Sequence, residues 1–203
     1  MKIIGLAGGS GSGKGTVAGM LLDFNIPSID TDALYHGMTT KKSPCLDALV
    51  AEFGASVLSP DGSLNRAVLA DIVFSSSDAD KKRETLNKIA HHYVLIETQR
   101  ALDEYRHKGV KAVLIDAPLL FESGFDKLCD FLVSVISERQ KRIDRIIARD
   151  GISREKAEQR INAQMSDEQL ISKSDFIIVN NGTREELYNK VVSLAEQIKN
   201  IGG

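Results

Sequence analysis

The sequence has little of several features that would assign it to a specialised protein class. It has two cysteines, Cys45 and Cys129, without CxxC spacing, so we expect reduced, partly buried thiols in a cytoplasmic protein. It has no apolar run near the ~20 residues of a membrane span, and Met1–Ala7 lacks the charged start and cleavage site of a signal peptide. The net charge is -2 and the pI about 6.1. This balance argues against a surface built for nucleic acid or an acidic membrane, and nothing indicates an obligate protein partner.

Five short, apolar, β-branched runs alternate with longer segments of helical period. Runs that are apolar on both faces are typical of parallel strands covered by helices on each side. The predicted strands are Lys2–Ala7, Ile26–Ile29, Val110–Ile115, Phe131–Ile136 and Phe176–Val179. The alternation predicts an α/β fold in which helices flank a parallel, doubly wound sheet.

One connection between strands is too long for a simple crossover. Roughly eighty residues of helical pattern separate Ile29 from Val110, whereas a βαβ unit needs about thirty. We therefore expect a helical subdomain inserted at 33–109 into a core made of 1–32 and 110–203. Within that core, a charged segment at about 138–166 is predicted to form a helical lid.

A glycine-rich segment follows the first predicted strand and opens a predicted helix, Lys14–Phe24. This segment, here called the glycine loop, reads Gly8-Gly9-Ser10-Gly11-Ser12-Gly13-Lys14-Gly15-Thr16. Glycines let a backbone approach phosphates, a helix N-terminus adds N–H donors, and Lys14 supplies a charge for the β and γ phosphates. Strand, loop, lysine and helix together predict a P-loop NTPase-type core that binds ATP through Gly9 to Thr16. Because Gly15 replaces the usual hydroxyl after the lysine, Thr16 is the candidate ligand for Mg²⁺, directly or through water.

Three carboxylates lie at the ends of predicted strands. Asp30 and Asp32 follow the second strand, where a carboxylate could take a proton from an attacking hydroxyl or could N-cap the next helix. We predict that Asp30 is the cap and Asp32 the catalytic base. Asp116 follows the third strand and is either a residue that holds Mg²⁺ through water or a strand-end turn residue.

Positive charge is concentrated in one stretch of the predicted lid. Glu138–Arg160 contains eight Lys or Arg and five Asp or Glu, in a chain whose net charge is -2. Arg142, Arg145 and Arg149 recur at helical spacing, which predicts that they share one face. Such a run is either a solvated helix surface or a basic lid that excludes water and stabilises a migrating phosphoryl group.

These motifs resemble the dephospho-CoA kinase family nearly from end to end. The segments Ile29-Asp30-Thr31-Asp32 and Pro118-Leu119-Leu120-Phe121-Glu122 are specific to that family, whereas the glycine loop is not. Shorter matches are Ile4-Gly5-Leu6, Phe53-Gly54, Asp61-Gly62, Leu64-Asn65-Arg66, Ile72-Val73-Phe74, Ala90-His91, Arg149-Asp150, Arg160 with Gln164, and Asn180-Asn181-Gly182. The chain departs from the family pattern at Ala7, Gly15 and His92, where threonine, serine and proline are usual.

The resemblance implies transfer of the ATP γ-phosphate, with Mg²⁺, to the ribose 3′-hydroxyl of dephospho-CoA. It implies that Asp32 is the catalytic base and that Arg145 is a lid arginine acting with Lys14. It further implies an adenine contact at Asn180, Asn181 and Gly182, and acceptor contacts at His91, Pro118, Leu119, Phe121 and Glu122. Two other functions stay open: another P-loop nucleoside or nucleotide kinase, and an ATP-binding regulator that does no chemistry.

Overall fold

Five strands form one sheet in the computed structural model, which describes residues 1–75 and 78–200. They are β1 (Lys2–Ala7), β2 (Ser28–Asp30), β3 (Ala112–Asp116), β4 (Phe131–Ile136) and β5 (Phe176–Val179). Their spatial order is β2-β3-β1-β4-β5, and β1 pairs in parallel with β3 and β4, as β4 does with β5. The predicted α/β fold with a parallel sheet is confirmed.

Helices fill the connections between the strands. They are α1 (Lys14–Leu22), α2 (Thr31–Thr39), α3 (Pro44–Phe53), α4 (Arg66–Phe74), α5 (Ala79–His107), α6 (Arg139–Asp150), α7 (Arg154–Asn162), α8 (Asp167–Lys173) and α9 (Arg184–Asn200). The local sequence determines where several of these helices begin. Ser166 and Gln169 form a capping box at the start of α8. The side chains of Thr183 and Glu186 each accept a hydrogen bond from the other residue's main-chain N–H before α9.

Predicted and observed strands agree for β1, β4 and β5 but not for β3, which ends one residue later than predicted, at Asp116, and begins two residues later, at Ala112. Helix α5 reaches His107, and Gly109 then adopts a left-handed φ of 71°. The Val110 N–H donates to Tyr105 O at 3.1 Å, so this residue closes the helix end and does not begin the strand. The second strand is Ser28–Asp30, displaced from the predicted Ile26–Ile29, because Pro27 has no N–H to donate to a neighbouring strand.

The chain divides into two compact units. The first unit comprises Met1–Ile29 and the chain from Glu104 onward, and the second comprises Asp30–Asp103. In the first unit, α1 and α9 pack on the sheet around buried Leu6, Leu21, Leu114, Val135 and Leu194. The second unit has a separate core, formed by Cys45, Leu46, Leu49, Val57, Leu64, Leu69 and Val73. The division of roles predicted from the sequence, with an acceptor subdomain at 33–109, stays a prediction.

Both cysteines carry free thiols. Burial raises the pKa of Cys45 to about 11. Burial, assisted by the charges of Asp126 and Asp130, raises the pKa of Cys129 to about 12. Both thiols therefore stay protonated at neutral pH. Across residues 1–75 and 78–200, no helix has the length and apolar character needed to cross a membrane.

Candidate active site

The glycine loop connects β1 to α1 in the conformation that its glycines permit. Gly11 and Gly13 have left-handed φ values of 76° and 97°, and Gly13 is the N-cap of α1. A Cβ on Gly13 would collide with the Asn180 side-chain amide, so both backbone angle and space require glycine there. Gly15 differs, since no atom of the described residues beyond its chain neighbours and its own helical turn lies within 4 Å of the Cβ it lacks. A serine side chain would fit at position 15, so packing does not explain this departure from the usual motif.

Side chains from distant parts of the first unit bind three consecutive carbonyl oxygens of the glycine loop. Ser10 O accepts from Arg142 Nε at 3.0 Å, and Gly11 O accepts from Arg145 Nη1 at 3.0 Å. Ser12 O accepts from Asn180 Nδ2 at 2.7 Å. In a trans peptide the C=O and the following N–H point in opposite directions. The N–H groups of Gly11 and Gly13 therefore face away from these donors, where they can contribute to an anion site.

Lys14 forms an ion pair with Asp116, the last residue of β3. Their side chains are only 16% and 14% exposed. Lys14 is therefore largely buried and does not stand out from the loop into solvent. The reason lies in the sheet register, because β3 lies beside β1 with Asp116 opposite Leu6, just before the glycine loop. A strand-end carboxylate is thereby brought to the lysine.

The surroundings of Asp116 fit Mg²⁺ that arrives with a nucleotide. Across residues 1–75 and 78–200, no three His, Cys, Asp or Glu side chains group closely enough to hold a metal by themselves. The ligands of Mg²⁺ are commonly one or two carboxylates, substrate phosphates and several waters, so a single carboxylate beside the glycine loop suits this ion. Thr16 is exposed in the first turn of α1, and its N–H donates to Gly13 O at 3.0 Å.

Arg145 is anchored by hydrogen bonds to the surrounding loops. Besides Gly11 O, its guanidinium donates to Ser12 O at 3.4 Å, Ser137 Oγ at 3.1 Å and Asn180 O at 3.0 Å. All these acceptors are uncharged, and the side chain is half-buried. In this conformation Arg145 therefore supports the glycine loop from behind, that is, from the side on which the loop carbonyl oxygens lie.

The three arginines predicted to share one face have different surroundings. Arg142 is 5% exposed, whereas Arg149 is exposed and pairs with the neighbouring Asp150 at 2.7 Å. Hydrogen bonds from Arg149, and then Arg160, hold the pKa of Asp150 at about 2. The predicted angular alignment is compatible with this difference, because Arg149 lies about 10 Å from Arg142 along the helix axis. Only Arg142 and Arg145 reach the loop.

The turn after β5 is tied to the end of β4. Ser137 Oγ donates to Asn180 O at 2.7 Å and to Asn181 Oδ1 at 3.0 Å. Asn180 itself is 7% exposed, so its side chain is a brace for Ser12. Asn181 and Gly182 instead line an open depression of about 720 Å³. The adenine contact implied for this turn stays a prediction.

The segment after β3 lies against the glycine loop. Pro118 to Glu122 line a narrow cleft together with Ala7, Gly8, Gly9, Gln164, Met165 and Leu170. Its volume of about 20 Å³ has room for a water molecule but not for a substrate. An acceptor contact at Pro118, Leu119, Phe121 or Glu122 would require this cleft to open or a ligand to lie over exposed Leu119.

In the second unit, the structure separates the two carboxylates that follow β2. Asp30 is the N-cap of α2 and accepts from the Ala33 N–H at 3.0 Å, as predicted. Asp32 is exposed in the first turn of the same helix. Helix α2 is fastened to the start of α4 by Arg66, which donates to Thr39 Oγ1 at 3.0 Å and lies 2.9 Å from His36 Nδ1. His91, on α5, is half-buried, and burial lowers its pKa.

Sequence reasoning missed the support given by Asn180, Arg142 and Gln164 to the loop. The resemblance marked Gln164 only as a matching residue and Asn180 as an adenine contact, and no local pattern shows that they contact a segment more than 150 residues away.

Comparison with known proteins gives a consistent result. A family model described as dephospho-CoA kinase matches residues 2–186. A dephospho-CoA kinase of Symbiobacterium thermophilum is 43% identical over 185 residues, which cover 90% of this chain and 75% of that protein. One of Fusobacterium nucleatum subsp. nucleatum is 40% identical over 198 residues, covering 98% and 99%. The crystal structure of TT1252 from Thermus thermophilus superposes with a TM-score of 0.78 at 30% identity and covers 97% of each chain.

Proposed function

We propose the following residue roles from the premise that this chain belongs to the dephospho-CoA kinase family. As a member it is an ATP-dependent kinase whose substrates are ATP and dephospho-CoA. The reaction moves the γ-phosphate of ATP to the ribose 3′-hydroxyl and leaves ADP and coenzyme A. The observation that supports the roles best is the glycine loop, whose carbonyls are bound from behind while Lys14 and Asp116 pair beside it.

On the nucleotide side, the residues Gly9 to Thr16 bind the ATP phosphates. Lys14 exchanges its contact with Asp116 for the β and γ phosphates, where its ammonium stabilises charge that develops in transfer. The Asp116 carboxylate, with Thr16, would hold Mg²⁺ through water, and the metal would supply further charge neutralisation between the phosphates. The depression beside Asn181 and Gly182 is the place for the adenine.

On the acceptor side, Asp32 takes the proton of the 3′-hydroxyl as the oxygen attacks phosphorus. Its exposure in the first turn of α2, while Asp30 performs the capping, supports this division. His91, with Pro118, Leu119, Phe121 and Glu122, contributes to acceptor binding. Arg145 stabilises the transferred group, either directly after a change of conformation or by fixing the glycine loop.

The proposal is tested by following ADP release from ATP and Mg²⁺ with a panel of acceptors. We expect turnover with dephospho-CoA and none with its 3′-deoxy analogue, which lacks the attacking oxygen. Equal turnover with a nucleoside monophosphate would instead indicate another P-loop kinase, and ATP binding without any acceptor-dependent turnover would indicate a regulator. A cytoplasmic location stays a prediction.

A further inference from the structure

Ser10 in the glycine loop has all three of its polar groups engaged by two side chains. Gln164 Oε1 accepts from the Ser10 N–H at 2.8 Å, and Gln164 Nε2 donates to Ser10 Oγ at 3.3 Å. The Ser10 carbonyl accepts from Arg142 Nε at 3.0 Å. The polar groups of a loop residue usually bind solvent. Here the main chain and the side chain of Ser10 are both held by hydrogen bonds to residues more than 130 positions away in the sequence.

Arg142 links the partners of Ser10 to one another. It is 5% exposed, and its guanidinium also contacts Gln164 Oε1 at 3.5 Å and Asp167 Oδ1 at 3.2 Å. The fork of a guanidinium can serve all three acceptors at once, which a lysine ammonium cannot do in this geometry. A buried arginine with this many fixed contacts constrains its neighbours more strongly than a surface arginine would.

Two glycines of the loop, Gly9 and Gly11, are packed against Arg142, and Gly9 also lies close to Gln164. A Cβ on Gly9 would collide with the Arg142 guanidinium and would lie 3.1 Å from Gln164 Oε1. A Cβ on Gly11 would lie 2.5 Å from the main-chain oxygen of Arg142. Two loop glycines thus allow Arg142 and Gln164 to approach the backbone, in addition to any phosphate on the opposite side.

We propose that Gln164 and Arg142 are positioning residues that hold the glycine loop in its nucleotide-binding conformation before a nucleotide arrives. They act through Ser10 and touch neither substrate. The inference rests on the proposed role of the loop in ATP binding. Because Gln164 lies between the end of α7 and the Ser166 cap of α8, a shift of this segment is transmitted directly to Ser10.

The decisive variant is Gln164→Leu, which keeps a side chain of similar bulk but removes both hydrogen bonds to Ser10. Two neutral hydrogen bonds are worth on the order of tenfold in an equilibrium constant. We expect the Kd for ADP, measured by calorimetry, to rise about tenfold, with a matching rise in the KM for ATP. Amide hydrogen exchange at Ser10 should become faster, while exchange at Leu194 in the core stays as in the wild type.

The matched control is Gln159→Leu, the same substitution at an exposed position of α7. It should bind ADP as the wild type does. Gln164→Asn is the second variant, since it stays polar but is one methylene too short, and it should weaken ADP binding even if Gln164→Leu folds poorly. Wild-type affinity for ADP in Gln164→Asn or Gln164→Leu overturns the proposal. A wild-type protein that binds no ADP would instead refute the nucleotide site itself.

Discussion

Arg145→Lys tests the proposed site most directly, because it keeps the charge and changes only the shape of the donor. The guanidinium reaches Gly11 O, Ser12 O, Ser137 Oγ and Asn180 O from two nitrogens, at 3.0 to 3.4 Å. A lysine has one nitrogen, so it can preserve contacts on one side of this set but not on both. We expect about half of the bonds to be lost.

The magnitude follows from the bonds that are lost. Two bonds from a charged donor, in a half-buried setting, correspond to about 2 kcal/mol of folding free energy. For a chain of this length, that lowers the melting temperature by about 4–8 °C. If Arg145 also stabilises the transferred group, kcat should fall about a hundredfold, which corresponds to about 2.7 kcal/mol of activation free energy.

The assay is steady-state ADP release with dephospho-CoA, alongside thermal unfolding of the same samples. Arg139→Lys is the control, since exposed Arg139 lies on the same helix and contacts only Asn162 Oδ1 at 2.8 Å among the hydrogen bonds seen. It should behave like the wild type in both measurements. If Arg145→Lys lost stability but kept its kcat, Arg145 would be a brace for the loop without a role in transfer. Unchanged values in both measurements would refute the reasoning entirely.

Three further experiments test other parts of the molecule. Lys14→Met should abolish most turnover and lower the melting temperature, since Asp116 loses this ion pair; near-normal activity would remove the lysine from the mechanism. Asp32→Asn should lower kcat more than it raises either KM, whereas Asp30→Asn should change little, because asparagine caps a helix as well as aspartate does. Equal effects at the two positions would contradict the division of roles. Both thiols of the folded protein should resist alkylation at pH 7.5, because their raised pKa values keep them protonated, and rapid labelling at that pH would contradict this.

Local sequence patterns were sufficient wherever a local cause determines the structure. The alternation of apolar runs predicted β1, β4 and β5 to the residue. The starts of α8 and α9 are equally local, because in each a serine or threonine and the glutamine or glutamate three positions later cap the helix. The glycine loop was identifiable because its conformation requires glycine at fixed positions.

Contacts between distant segments could not be predicted in this way. Helical spacing gives the angle of a side chain around its helix but not what lies opposite it along the axis. Arg142, Arg145 and Arg149 therefore seemed equivalent, although only the first two reach the loop. Likewise, nothing local to Lys14 indicates Asp116, which the register of β1 and β3 brings beside it.

The two arginines behind the glycine loop also differ in the charge they offer to a nucleotide. Arg142 is paired with Asp167, whose negative charge offsets much of its field nearby. The hydrogen-bond acceptors of Arg145 are neutral oxygens, which leave its positive charge uncompensated by them. Arg145 should therefore attract phosphate through the loop even without touching it, an effect that falls with ionic strength. Arg145→Met would lose this attraction and Arg145→Lys would keep it, so comparing their ADP affinities at low and high salt separates charge from geometry.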